Sequence, residues 1–139
     1  MKTFTKRNLR AFLFTCLGLI AATVICAGGM RIPEPPDRPG RPSAFDIEAD
    51  RCKLRFKKPR RDGGATIIRY HIEYKSDEVQ KWLLERTIAP QYPMDDTMQS
   101  EVDNRVGLFP VVFRTMAANK FGISEPSVVS DPITFRNPF

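Results

Sequence analysis

The stretch Arg51-Cys52-Lys53-Leu54-Arg55-Phe56-Lys57 places an apolar residue at every second position and a basic one at each position between. Successive side chains of a β-strand leave opposite faces, whereas a helix repeats every 3.6 residues, so period two marks a strand with one wet and one buried face. The same alternation recurs on both sides. Phe45, Ile47 and Ala49 precede it; Ile68, Tyr70, Ile72 and Tyr74 follow, with His71 and Glu73 between them; Val111, Phe113, Thr115 and Ala117 come later. Residues 90–103 are polar and admit a strand only loosely, around Met98 to Val102. Turn chemistry falls between these runs: Pro59 ends one, and Asp62-Gly63-Gly64 and Asn119-Lys120-Phe121-Gly122 supply residues that tolerate positive φ. Pro126 and Pro132 bracket a last short strand. Short strands at this spacing predict an all-β fold, a two-sheet antiparallel sandwich of immunoglobulin-like architecture.

A chain of 139 residues with 12 prolines, 42% hydrophobic and 27% charged residues, has room for one such domain and a short appendage. Its first ten residues carry Lys2, Lys6, Arg7 and Arg10 and no acid, and the uncharged apolar run Ala11 to Ala27 follows, closed by Gly28 and Gly29. That layout predicts an N-terminal hydrophobic helix over residues 1–29, either a cleaved secretory signal or an uncleaved membrane anchor. Both send the remainder outward, because the basic cluster precedes the apolar run. Residues 30–42 contain five prolines between Pro33 and Pro42 and are expected to run extended as a spacer. Cys16 and Cys26 lie in the apolar run, so Cys52 is the lone thiol of the folded part. It has three readings: core filler, intermolecular disulfide partner or reactive thiol. Alternation with Leu54 and Phe56 favours the core.

The formal charge of +6 belongs mostly to the leader; from Met30 onward 18 basic residues face 16 acidic ones. Net charge therefore does not argue for a nucleic-acid partner. One basic cluster stands out. Arg51, Lys53, Arg55 and Lys57 share one outward strand face, and Lys58, Arg60 and Arg61 lie at the adjoining turn, with no acid between Arg51 and Arg61. At about 3.3 Å per residue the stripe spans roughly 20 Å. It is complementary to an acidic protein surface or a sulfated glycan, unless carboxylates such as Asp46 or Glu48 neutralise it across the strand. Chemistry of other kinds finds no support. The single histidine, His71, falls on a wet strand face without a nucleophile in a recognisable elbow. One histidine and one domain cysteine do not furnish a zinc site, and no phosphate loop with its lysine is present, so no cofactor, metal or catalytic residue is expected.

The chain from about Pro35 to Asn137 resembles a fibronectin type III domain. Prolines at the start of such domains correspond to Pro35, Pro36, Pro39 and Pro42. The second-strand pattern reads Leu54, Phe56, Pro59, and the D-G-G turn with I-x-x-Y-x-V-E appears as Asp62, Gly63, Gly64, Ile67, Tyr70, Ile72 and Glu73. Trp82 suits the tryptophan of the next strand. The ending F-R-x-x-A-x-N-x-x-G-x-S-x-P-S is present as Phe113, Arg114, Ala117, Asn119, Gly122, Ser124, Pro126 and Ser127. Two anchors depart from the pattern: Phe56 stands at the core tryptophan position and Val111 at that of the corner tyrosine. The smaller burial implies a sandwich of modest stability.

This resemblance implies a non-enzymatic extracellular protein-binding or adhesion module, secreted, or held at a membrane only if the leader stays uncleaved. Arg136-Asn137-Pro138-Phe139 resembles the exit linker of titin and twitchin repeats, which implies the alternative: a structural spacer repeat of a filament-associated protein.

Overall fold

The computed structural model describes residues 31–136. The expected N-terminal hydrophobic helix and residues 137–139 of the linker lie outside the described residues. The chain divides into two units, Met1–Ile32 and Pro33–Phe139, and the second is a β-sandwich. Its strands are β1 (Ser43–Phe45), β2 (Arg51–Lys57), β3 (Arg69–Ser76), β4 (Leu83–Ile88), β5 (Thr97–Asp103), β6 (Val111–Asn119) and β7 (Gly122–Ile123). Neighbours pair antiparallel in two sheets, ordered β1-β2-β5 and β4-β3-β6-β7, and the described residues contain no helix.

Alternation sets the core. Cys52, Leu54 and Phe56 from β2 join Met98 and Val102 from β5, facing Tyr70 and Ile72 from β3 and Val111, Phe113 and Ala117 from β6. Phe56, at the expected tryptophan position, meets Tyr70 edge-on with ring centroids 5.5 Å apart and so couples the two sheets. Burial pushes the Tyr70 hydroxyl up to about 12, with Tyr92 and Asp96 adding to it. The open flank between β4 and β5 is laced by Glu85, whose side chain is 1% exposed. It accepts hydrogen bonds from the Asp103 amide at 3.3 Å and from Arg105 Nε at 3.0 Å.

Three expectations require correction. The Phe45, Ile47, Ala49 alternation is not one strand: β1 stops at Phe45 because Asp46 turns the chain at φ 48°, which leaves Ile47 and Ala49 exposed. β3 begins at Arg69, and Ile68, which continues its apolar phase, is half exposed at the sheet's end. No regular last strand lies between Pro126 and Pro132.

In place of that strand, the segment after β7 presents a serine to β6 at every third residue. The backbone amides of Ser124, Ser127 and Ser130 each donate at 2.8 Å to the carbonyls of Ala117, Thr115 and Phe113. Their hydroxyls accept from the amides of those same β6 residues at 3.0, 3.0 and 2.9 Å. A stride of three, the repeat of a polyproline II helix, is thereby matched to the stride of two along β6. The N-terminal proline tract uses the same stride. Amides of Glu34, Asp37 and Gly40 donate to carbonyls of Gly63, Arg61 and Lys57, while Pro36, Pro39 and Pro42 are buried. From Glu34 on, the extended tract is thus bound along the domain.

The proline tract is tied to the end of β6 at Asn119, which is 4% exposed. Its side-chain amide donates to the carbonyls of Glu34 and Asp62 at 2.9 and 2.7 Å, and its oxygen accepts from the amides of Phe121 and Gly122. Beside it Gly63 holds φ 76°, and a Cβ there would stand 2.0 Å from the Glu34 carbonyl, so no other residue fits.

One buried group lacks a partner among the described residues: the hydroxyl of Thr115, fully enclosed on the inner face of β6. Thr115→Val keeps the shape and removes the orphaned oxygen, and should raise unfolding stability by about 1 kcal/mol. Ser127→Ala removes the hydroxyl that accepts from the buried Thr115 amide and should lower it by about 1–3 kcal/mol. Urea denaturation of the two variants measures both signs.

Candidate functional site

β2 carries the basic residues outward because Cys52, Leu54 and Phe56 occupy its inner face; the exposure pattern along Arg51–Lys57 alternates without exception. Register then decides their neighbours. Lys53 lies opposite Phe45 on β1 and Glu101 on β5; Arg55 lies opposite Ser43 and Gln99; Lys57 lies opposite Thr97; Arg51 lies opposite Asp103. The structure brings Arg51, Lys53, Arg55 and Lys57 together in one row, with Lys58, Arg60 and Arg61 at the end where β2 turns away.

Most of that charge is already answered. Arg51 lies 3.1 Å from Glu48, 3.7 Å from Asp50 and 3.6 Å from Glu101. Lys53 meets Asp46 at 2.9 Å, Lys57 reaches Asp95 at 3.8 Å and its carbonyl, and Lys58 meets Asp96 at 2.6 Å. Arg61 forks onto Asp37 through Nε and Nη2 at 3.0 and 2.9 Å, with Glu34 at 3.9 Å. Eight carboxylates therefore hold five of the seven cations. The positive stripe read from β2 alone becomes a mixed-charge face once β5 and the flanking turns are folded against it. Hydrogen bonding to Glu48 raises Arg51, to Asp46 raises Lys53 and to Asp37 raises Arg61. Arg61 in turn lowers Asp37, and Thr97 lowers Asp95. These pairs are exposed, so salt screens them.

Arg55 and Arg60 have no carboxylate at ion-pair distance among the described residues. Arg60 is fully outward at the turn. Arg55 donates through Nε to the Ser43 hydroxyl at 3.3 Å and lies over the Phe45 ring, 5.5 Å from its centroid.

Sequence reasoning missed a second feature, on the outward face of the other sheet. Arg114 of β6 lies over the Trp82 ring, 4.3 Å from the centroid, and pairs with Glu73 of β3 at 2.6 Å. Trp82, Arg114 and Glu73 are each visible in the motifs, but alternation gives only their faces, and the β3–β6 register that sets Glu73 beside Arg114 is a property of the folded sheet.

His71 lies on that same face. Its Nε2 accepts from Arg69 Nε at 3.3 Å, and its Nδ1 meets the Thr87 hydroxyl at 3.0 Å. Burial lowers its pKa and Arg69 adds to this, with Glu73 opposing. Cys52 is fully enclosed in the core, and burial, helped by Glu85, pushes its thiol up to about 11, which marks an inert core side chain. Among the described residues no three histidine, cysteine or acidic groups converge on one point.

Because the folded pKa of His71 lies below its unfolded value, the unfolded chain binds its proton first on acidification. Its contribution is complete above about pH 6.5 and is lost as pH falls through the lowered folded value. Asp37 and Asp95, also lowered, give a second loss with the same sign below the ordinary carboxylate range. Denaturation midpoints measured across pH should thus fall in two stages on acidification, and His71→Gln should remove the upper stage alone.

No family model matches the chain. Titin of Drosophila melanogaster is 33% identical to it over 98 residues, 70% of this chain and 0% of that protein to the nearest percent. Human slow-type myosin-binding protein C is 31% identical over 104 residues, 70% of this chain and 8% of that protein. The chain thus spans less than a tenth of the length of either relative. Among solved structures, a titin module from human cardiac muscle superposes with a TM-score of 0.56 at 29% identity, covering 72% of this chain and 92% of that module. Fold, motif order and these likenesses agree: this chain carries a fibronectin type III domain, similar to the repeats of titin.

Proposed function

We propose that the chain is a non-catalytic protein-contacting module, carried outward by its N-terminal leader and working through the outer face of β1, β2 and β5. The observation that carries this reading is the interleaving of charge on that face, where eight carboxylates hold five of seven cations in place. A fixed pattern of both signs complements another protein surface with its own alternating charges, and it discriminates among partners more than it adds raw affinity. A sulfated glycan, acidic along its whole length, meets as much repulsion as attraction there. Similarity to myosin-binding protein C, a protein named for a protein partner, supports the same class.

A second reading, the structural spacer repeat, is favoured by the likeness to titin modules, in which the domain would set length and orientation. The leader separates the two. Expression of the full chain in cells with a secretory pathway should deliver it to the medium with a new N-terminus near Met30. Cytosolic retention favours the spacer, and membrane retention with the leader intact makes the module an anchored surface protein. On immobilised heparin the secreted domain should elute at or below about 0.15 M salt, where screening already reaches about 8 Å. Retention well beyond that, abolished by reversing the charges of Lys53, Arg55 and Lys57, would return the glycan reading.

A further inference from the structure

The charge pairing along β2 has one gap, and it coincides with a groove. Among the four outward cations of β2, Arg51, Lys53 and Lys57 each have a carboxylate, whereas both cross-strand neighbours of Arg55, Ser43 and Gln99, are uncharged. A surface cavity of about 330 Å³ lies over this point, lined in part by Arg41, Ser43, Arg55, Lys57, Thr97 and Gln99. The acids near it are engaged: Asp95 with Lys57 and Thr97, and Asp131 with Arg41 at 2.7 Å.

Arg55 is also held in a defined pose. Its Nε is spent on the Ser43 hydroxyl and its guanidinium carbon lies 5.5 Å from the Phe45 ring centroid, while neither terminal nitrogen has a hydrogen-bond partner among the described residues. A guanidinium fork with its terminal N–H groups free matches the two oxygens of a carboxylate, and the hydrogen bond to Ser43 limits the rotamer freedom lost on binding. The Gln99 side-chain amide, without a partner among the described residues while its backbone is held by Gln91, lies across the ladder from Arg55 as a further donor.

We infer that this groove is a docking point for one acidic side chain of a protein partner, a glutamate or aspartate seated bidentately on Arg55. The inference rests on the protein-contacting reading above and narrows its seven basic residues to one. Charge complementarity selects the occupant. A single carboxylate fills the one unanswered charge of β2, whereas a longer polyanion meets Asp95 at the groove's wall and Asp46 and Glu101 beyond it.

The test is an NMR titration of the full chain, following the Arg55 Nε–H resonance and the backbone amides. The probes are a blocked pentapeptide of serine and glycine with one central glutamate, the same peptide with glutamine, and a heparin tetrasaccharide. The glutamate peptide should shift Arg55 Nε–H with the amides of Ser43 and Gln99, and the glutamine peptide should not. Arg55→Gln should weaken the apparent affinity about tenfold or more, Arg55→Lys should recover only part of it, and Lys81→Gln, at an exposed position between β3 and β4, should leave it unchanged. Equal shifts with both peptides, or glutamate binding that survives Arg55→Gln, overturns the groove; shifts confined to another face do so while leaving the protein-contacting reading intact. A heparin response that exceeds the peptide's and is lost in Arg55→Gln overturns both. All three substitutions are at exposed positions, and the amide spectrum reports whether the fold is kept.

Discussion

A sandwich of two small sheets has edges, and every amide and carbonyl along a buried edge must find a partner. Here the demanding edge is that of β6, the strand that carries Val111, Phe113 and Ala117 into the core. β7 covers only its last residues. The rest is closed by Ser124, Ser127 and Ser130, which return two hydrogen bonds each to every second residue of β6. A proline-bearing segment could not do this as a strand, because Pro126 and Pro132 have no amide to donate. Serine hydroxyls replace the missing ladder, and the same stride binds the first proline tract through Glu34, Asp37 and Gly40.

That device explains what was legible beforehand and what was not. Strands β2, β3 and β6 announce themselves because burial on one face forces apolar residues into period two, as Cys52, Leu54 and Phe56 illustrate. β5 was faint because Ser100 interrupts the apolar row of Met98 and Val102 on its inner face. The closing segment resembles a strand in sequence only through its bracketing prolines; its pairing is carried at period three and by serine hydroxyls, which alternating hydrophobicity does not register. Ile47 and Ile68 mislead in the opposite sense. Each extends an apolar phase past the point where Asp46 or the sheet boundary ends the pairing.

The basic cluster shows the limit of reading one strand at a time. All seven residues were found where β2 and its turn place them, and two of their partners, Asp46 and Glu48, are close enough in sequence to be anticipated. Glu101, Asp95, Asp96 and Asp37 reach the face only through the β2–β5 register and the docking of the proline tract. An electrostatic surface is thus a property of the paired sheet. What distinguishes Arg55 from Lys53 is that Asp46 reaches Lys53, whereas Ser43 and Gln99, the cross-strand neighbours of Arg55, carry no charge.

The junction at Asn119 has a mechanical side. Tension entering the domain through Pro33 would meet the Glu34 amide bonded to Gly63 and the Glu34 carbonyl bonded to Asn119 before it could reach β1. These two bonds share the load at one point, and the second delivers it directly into the last residue of β6, the strand paired along its whole length with β3. The leading end is accordingly fastened to the far end of β6, so that a pull on it loads that strand first and spares the short first strand.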